Sequence, residues 1–412
     1  MGRSTQQENK MKKVILSTLA ALTLTTSVAV AGEPVEWYSK ASKLKFSGLT
    51  YLGFTNYQYD DTQANKHADL AGKSLSKFEM RRAYVQVKAY LLEDSKSYFR
   101  VTLDMEHVEK TGAVQGDYNV RFKYAYLYLN EILPYTGVEM GIAHRPWIDY
   151  EEHNSWFYRD THWVFTEAGN SAKLSNSADL GVNFKTKTKY FASEVGVFTG
   201  EGYHDVEDGT GLSAEWRATA HILGVSGKDK QTSKTYWDAS FFGQYNMSNN
   251  KYKQEASTNP GVVDNQDLVW GGLHTVFNMP SFMIAAQYIQ TQDTMDKPDV
   301  YRKAGKGFNA HAIYRFGSEK QFRVVGRYDT WTPDAVQTYV PTTTKDSGVY
   351  VDNTKSLTKN TYYAGLVWQQ NTNVQWVANV LQYDNDIADN GQRVNDAQAN
   401  STQYMITTQL SF

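Results

Sequence analysis

The chain contains no cysteine, and only 8 of its 412 residues are proline. Without thiols there is no disulfide framework, no thiol nucleophile and no thiolate metal site. The compartment stays open, because proteins that cross an oxidising periplasm often omit cysteine. Beyond residue 31 no segment reaches the roughly 18 consecutive apolar residues that a membrane helix needs, and helical apolar spacing is scarce. A formal charge of −2 gives no bulk reason to bind nucleic acid. A Gly-rich phosphate loop and an internal repeat are also missing. Aromatic residues are plentiful instead: 29 Tyr, 18 Phe and 10 Trp.

The single long apolar run is "MKKVILSTLAALTLTTSVAVAGE", Met11 to Glu33. Lys12 and Lys13 form a basic start, Val14 to about Val28 an apolar stretch, and Ala29-Val30-Ala31 a small-residue cleavage site. Residues 1–31 are therefore expected to be an N-terminal extension and a cleaved signal peptide, with Met1 and Met11 both open as the start. Residues 32–412 are expected to form one domain. Removing Arg3, Lys10, Lys12 and Lys13 with Glu8 takes away +3, so the chain charge of −2 becomes −5.

After that segment, apolar residues recur at every second position in runs of about ten, the period of a strand with two unlike faces. In "LSAEWRATAHI", Leu212, Ala214, Trp216, Ala218 and Ala220 oppose Ser213, Glu215, Arg217, Thr219 and His221. Sixteen such runs begin near Lys43, Glu79, Tyr98, Val120, Thr136, Ala178, Tyr190, Leu212, Tyr236, Asp267, Ser281, Gly305, Gln321, Asn360, Val374 and Ser401. The first, fourth and tenth have an ambiguous face. Tight connections such as Pro134-Tyr135, Thr188-Lys189 and Thr372-Asn373 alternate with long polar loops; Gly224–Thr235 is longer than that rhythm allows.

An even set of antiparallel strands with short turns at one end and long loops at the other implies an all-β transmembrane antiparallel barrel of about 16 strands. Hydrocarbon leaves no backbone group unpaired, so such a sheet closes on itself. The closing stave is "STQYMITTQLSF", with Phe412 at the inner rim as the signal read by the barrel-insertion machinery. Its partner is outer-membrane lipid and its location the outer membrane of a Gram-negative bacterium.

The opposite faces then line a channel wide enough for water. The expected inward basic residues are Arg82, Lys88, Arg100, Arg145, Lys185, Arg217, Arg315, Arg323 and Arg327. Facing them are Asp104, Glu106, Glu139, Glu194, Glu215, Asp238 and Asp329. The slight positive excess suggests mild anion preference, with Arg323 and Arg327 foremost; cancellation across the lumen is the alternative. The loop at about 148–177 is too aromatic to stand in solvent, with Trp147, Trp156, Phe157, Tyr158 and Trp163. It is expected to fold inward as a constriction carrying Arg145 and Arg159. Its three histidines fit no metal spacing, so no metal or other cofactor is expected. His221 with Ser213, and His107, are loose candidates for a lipid-modifying barrel enzyme but lack a nucleophile signature. No catalytic residue is assigned. A substrate-specific channel for oligosaccharides or organic acids is the other alternative.

"FEMRRAYVQVKAYLLEDSKSYFRVTLDME" (Phe78–Glu106), "KYAYLYLNE", "GVEMGIAHRPW" and "EVGVFTGEGYH" follow one another in order. Over Phe78 to Tyr203 and the terminal strand, the chain resembles the phosphate-selective porin O and P family. The resemblance implies a sixteen-stranded homotrimeric channel for passive diffusion of small hydrophilic solutes and ions, with the third extracellular loop folded inward. In the phosphate-specific members, arginines ladder down the pore and lysines cluster at the constriction. Here the loop has Arg145, Arg159 and Lys173 but no lysine cluster.

Overall fold

The computed structural model describes residues 41–60, 72–108, 117–203, 211–227, 232–249, 266–292, 305–333, 337–341, 348–352, 358–386 and 400–412. The expected signal peptide lies outside them. In chain order the elements are β1 (Ala41–Tyr59), β2 (Ser74–Leu91), β3 (Tyr98–Val108), β4 (Asp117–Leu133), β5 (Thr136–His144) and helix α1 (Pro146–Asn154). Next come β6 (Ala178–Lys187), β7 (Phe191–Phe198), β8 (Ser213–His221), β9 (Tyr236–Asn249), β10 (Gln266–Met279), β11 (Phe282–Gln292), β12 (Gly305–Phe316) and β13 (Phe322–Pro333). The last are β14 (Gln337–Pro341), β15 (Gly348–Asp352), β16 (Lys359–Gln369), β17 (Val374–Asn385) and β18 (Ser401–Ser411).

Sixteen of these strands form one closed antiparallel barrel, each paired to its chain neighbour and β1 to β18. The seam pairs Leu49 with Ser411 and Tyr59 with Ser401. Beyond it, the Phe412 amide donates to the Gly48 carbonyl and the Gly48 amide to the Phe412 carbonyl, both at 3.1 Å. Each of the sixteen alternating runs forms one stave. Between the thirteenth and fourteenth runs, where the sequence predicts a long loop, β14 and β15 make a separate hairpin. "QTYVP" and "GVYVD" are too short to show a period.

Side chains are sorted as an inside-out protein. In β8, Ser213, Glu215, Arg217, Thr219 and His221 are buried inward, while the alternate positions are less covered. The outer wall shows Phe46, Phe99, Val195, Phe241, Leu273, Ile284, Tyr314, Leu366 and Ile406 exposed. A belt of this extent requires hydrocarbon around it.

Two findings correct the expectation of an interior lined by polar residues throughout. On β10 to β18, inner positions such as Val276, Met283, Ile313, Val325, Val367 and Leu381 are buried in one apolar cluster with Ile148, Trp156, Tyr158 and Val164. This side of the lumen is a dry core, which is why the tenth run reads apolar on both faces. The other correction concerns strand parity. Between Tyr51–Arg82 and Leu52–Met80 the register shifts, leaving Arg81 as an extra residue. Between Thr102–Tyr124 and Leu103–Phe122 it shifts again, leaving Lys123 extra. A bulge re-aims side chains, so Arg81 joins Arg82, and Lys123 joins Tyr124, on the inner face. The fourth run was ambiguous because its outer phase slips from Val120 and Phe122 to Ala125 and Leu127.

Gly141 faces Tyr126 across the β4–β5 pair. Its φ of +127° is a conformation L side chains rarely adopt, and a methyl there would strike the Ala125 carbonyl. Gly141→Ala is expected to destabilise the barrel by about 1–3 kcal/mol, measured as a lower denaturant midpoint in detergent.

Candidate functional site: the infolded loop and the lumen wall

The segment from Arg145 to Ser177 leaves the rim between β5 and β6 and crosses the lumen. Pro146 suits the first turn of α1, where its missing N–H has no acceptor to lose. Trp147 stacks flat on Phe242 of β9, with centroids 3.5 Å apart at an interplanar angle of 5°. Tyr150 donates to Asp238 at 2.6 Å, and the Arg217 guanidinium donates to the Pro146 carbonyl at 3.1 Å. Further on, Trp156 donates from Nε1 to the His162 carbonyl at 2.7 Å, while Arg327 lies 4.4 Å over its ring.

The far wall is reached as well. Ser171 donates to Asp329 at 2.7 Å, Thr407 to Asp160 at 2.7 Å, and Asn170 to Asn385 of β17 at 3.0 Å. Trp147, Trp156 and Tyr158 are buried, and Phe157 packs partly buried against the apolar cluster. Trp163 is the exception among the five aromatic candidates. It remains 36% exposed, with the Arg82 guanidinium 5.7 Å from its ring.

The candidate cations divide by partner. Arg82 meets Asp104 at 2.5 Å, and Arg217 meets Glu194 at 2.8 Å. Lys185 sits among Asp149, Glu139 and Glu194 at 3.0 to 3.3 Å. Arg145 is held by Glu215, its Nε donating at 2.7 Å. Arg159 is held by Glu152 and by Glu167, the latter at 2.8 Å. Arg327 grips Asp329 through two bonds of 2.7 and 2.6 Å. That grip neutralises one of the two arginines ranked foremost.

Four candidates have no carboxylate partner among the described residues: Lys88, Arg100, Arg315 and Arg323. Arg315 and Arg323 are directly opposed across β12 and β13; Arg315 donates to Asn278 at 2.9 Å and Arg323 to Gln369 at 3.3 Å. Lys45, Lys88 and Arg100 are consecutive register partners across β1, β2 and β3. Arg100 donates to Thr102 at 3.0 Å and Tyr126 at 3.2 Å, and reaches His144 Nε2 at 3.0 Å. The other nitrogen of His144 lies 3.0 Å from Glu139. His144 therefore gives its Nδ1 proton to Glu139 and accepts from Arg100. Sequence reasoning missed Lys45, Arg81, Arg121 and Lys123. The phase slip after Phe122 was the visible signal for Lys123; Lys45 belonged to an ambiguous run.

His221 and Ser213 do not form a hydrolytic pair. They sit at opposite ends of β8, eight residues or roughly 26 Å apart along the strand, and His221 Nδ1 contacts Asp238 at 2.9 Å. The side chains of Glu106 and His107 lie outside the described residues. No group of three or more metal-ligating side chains occurs among the described residues.

A closed sixteen-strand barrel with an infolded loop has the porin-type outer-membrane fold. The chain is similar to the outer membrane channel DcaP of Acinetobacter baumannii, at 10% identity and a TM-score of 0.56, covering 93% of this chain and 100% of that one. It is also similar to Salmonella typhi OmpF in complex with daunomycin, at 11% identity and a TM-score of 0.56, covering 91% and 99%. A trimer form of the Vibrio cholerae outer membrane protein OmpT matches at 10% identity and a TM-score of 0.54, covering 90% and 99%. At these identities the likeness is one of fold. No family model and no curated protein sequence matches the chain.

Two loop acids report how tightly the segment is packed. Burial pushes the Glu151 carboxyl up to about 7, against the pull of Arg327. Burial likewise pushes Asp160 up to about 6, opposed by the hydrogen bond from Thr407. Glu151 in the docked loop thus titrates above its ordinary 4.5 and holds its proton more tightly than when undocked. The contribution of Glu151 to docking is full below pH 4.5 and weakens as the pH climbs toward 7. Amide-exchange protection over 146–177, corrected for intrinsic rates, is expected to fall by roughly tenfold or more across that window. In Glu151→Gln the Glu151 part of that dependence should vanish, leaving the part owed to Asp160.

Proposed function

We propose that the chain forms a passive outer-membrane channel for small hydrophilic solutes and ions, with a mild preference for anions. The closed barrel and its apolar belt supply a wall that hydrocarbon can surround. The infolded loop narrows the lumen and dries one side of it. The observation that carries the preference is the row Lys45, Lys88 and Arg100, three cations on neighbouring strands with no carboxylate partner among the described residues. Fixed charge of one sign along a pore raises the local concentration of the opposite ion.

This reading includes inorganic phosphate among the anions carried, as the resemblance over Phe78 to Tyr203 implies. It also includes export by the N-terminal segment and a homotrimeric assembly, supported by the trimer form known for the Vibrio cholerae neighbour. Enzymatic activity is not part of it: His221 stands far from Ser213 along β8 and contacts Asp238. Arg82, Arg145, Arg159, Lys185, Arg217 and Arg327 then hold the wall and loop in place, while Arg315 and Arg323 add a second positive site.

In bilayers under a potassium chloride gradient, the reversal potential should show chloride favoured over potassium. Lys88→Gln combined with Arg100→Gln should lower the permeability ratio by about twofold or more. Replacing the matched pair together, Arg327→Gln with Asp329→Asn, leaves the net charge unchanged and should change it far less. An unchanged ratio in the double variant, or cation preference in the parent, would remove the row from the filter.

A further inference from the structure

Rows of like charge directly opposed on neighbouring strands destabilise a sheet. Lys45, Lys88 and Arg100 form such a row on the inner face. Tyrosine rings, which carry no net charge, hold Lys88 and Arg100 where carboxylates would otherwise stand. Lys88 lies 4.4 Å over the Tyr98 ring, and Arg100 lies 4.5 Å over Tyr124. One step further up the wall, Lys123 lies 4.7 Å over Tyr84 and 5.5 Å from Tyr124. Ring contacts close the chain, with Tyr98 6.2 Å from Tyr126. Cation–π contact leaves the positive charge in place, and neither Lys88 nor Arg100 has a carboxylate partner among the described residues.

The patch is also extended. Two strand spacings separate Lys45 from Arg100, roughly 10 Å. A compact anion can touch one corner of such a surface. A solute with several acid groups along its length can meet all of it, and the half-buried Tyr98 offers such a solute a ring beside the cations.

We infer that the β1–β3 wall is a binding site for a linear, multiply charged carbohydrate acid, held through Lys45, Lys88 and Arg100 with the Tyr98 ring beside them. This rests on the channel reading and names its substrate class. Linking acid groups makes every contact after the first intramolecular, so affinity climbs with chain length.

The test is current block in bilayers by trigalacturonate, with galacturonate monomer, inorganic phosphate and neutral maltotriose as comparisons. Half-block by trigalacturonate is expected at a concentration about tenfold or more below that of any comparison. Lys88→Gln with Arg100→Gln should erase the advantage, and Lys88→Arg should keep it. Equal block by the monomer or by phosphate would overturn the extended site in favour of a compact one. Equal block by maltotriose would overturn the role of charge. The reversal potential in the same membranes separates the two levels. If anion preference stands while trigalacturonate has no advantage, this inference alone fails; if the preference is absent, the channel reading has failed first.

Discussion

Backbone hydrogen bonding in hydrocarbon is the constraint on which this molecule depends. A peptide group at an open sheet edge would face lipid with no partner, at a cost of several kcal/mol. The sheet must therefore join its ends, and it does so through the Leu49–Ser411 seam and the reciprocal bonds of Phe412 with Gly48. Closure in turn gives every strand one face toward hydrocarbon and one toward the lumen. Alternation follows from that division, and so does the effect of each bulge. One extra residue at Arg81 or Lys123 delivers two neighbouring side chains to the lumen.

A barrel of this width has no core of its own. The loop supplies one by placing its aromatic residues inside, where Trp147 stacks on Phe242 and Trp156 meets Tyr363 at 5.4 Å. Drying one side of the lumen raises the importance of its polar anchors, since buried groups need partners. Asp329 serves Arg327, Ser171 and Asn309 at once. The same packing leaves Lys88 and Arg100 only half-buried on the opposite side. The loop thus docks on β6, β8 and β9 as well as on the strands round to β18, and Lys88 and Arg100 keep part of their surface open.

Pairing, more than position, separates functional charge from structural charge. Ten basic residues were singled out from the sequence because their parity or their loop placed them toward the lumen, and the fold does bring them there. Six are matched by acids, on a neighbouring strand, on the loop or, for Arg327, two residues on in its own strand. Breaking a buried pair leaves an uncompensated charge, so these pairs lock geometry even where they add little net stability. Arg323 and Arg327 share a face of one strand, yet one ends in a carboxylate grip and the other on an amide. Asp329, two residues beyond Arg327 on the same face, was legible from spacing; that Arg323 ends on Gln369 was decided by the neighbouring strand.

By itself, the sequence determined the strand number, the side that meets lipid and the segment that turns inward. Each of these is a local consequence of side-chain period, turn residues and aromatic content. Tertiary structure alone decided which side of the lumen is dry, which cations keep their charge unmatched, and where a bulge reverses the parity. Those outcomes depend on contacts between residues as distant in the chain as Asp160 and Thr407. Short-range pattern carries no information about which partner will occupy the space opposite.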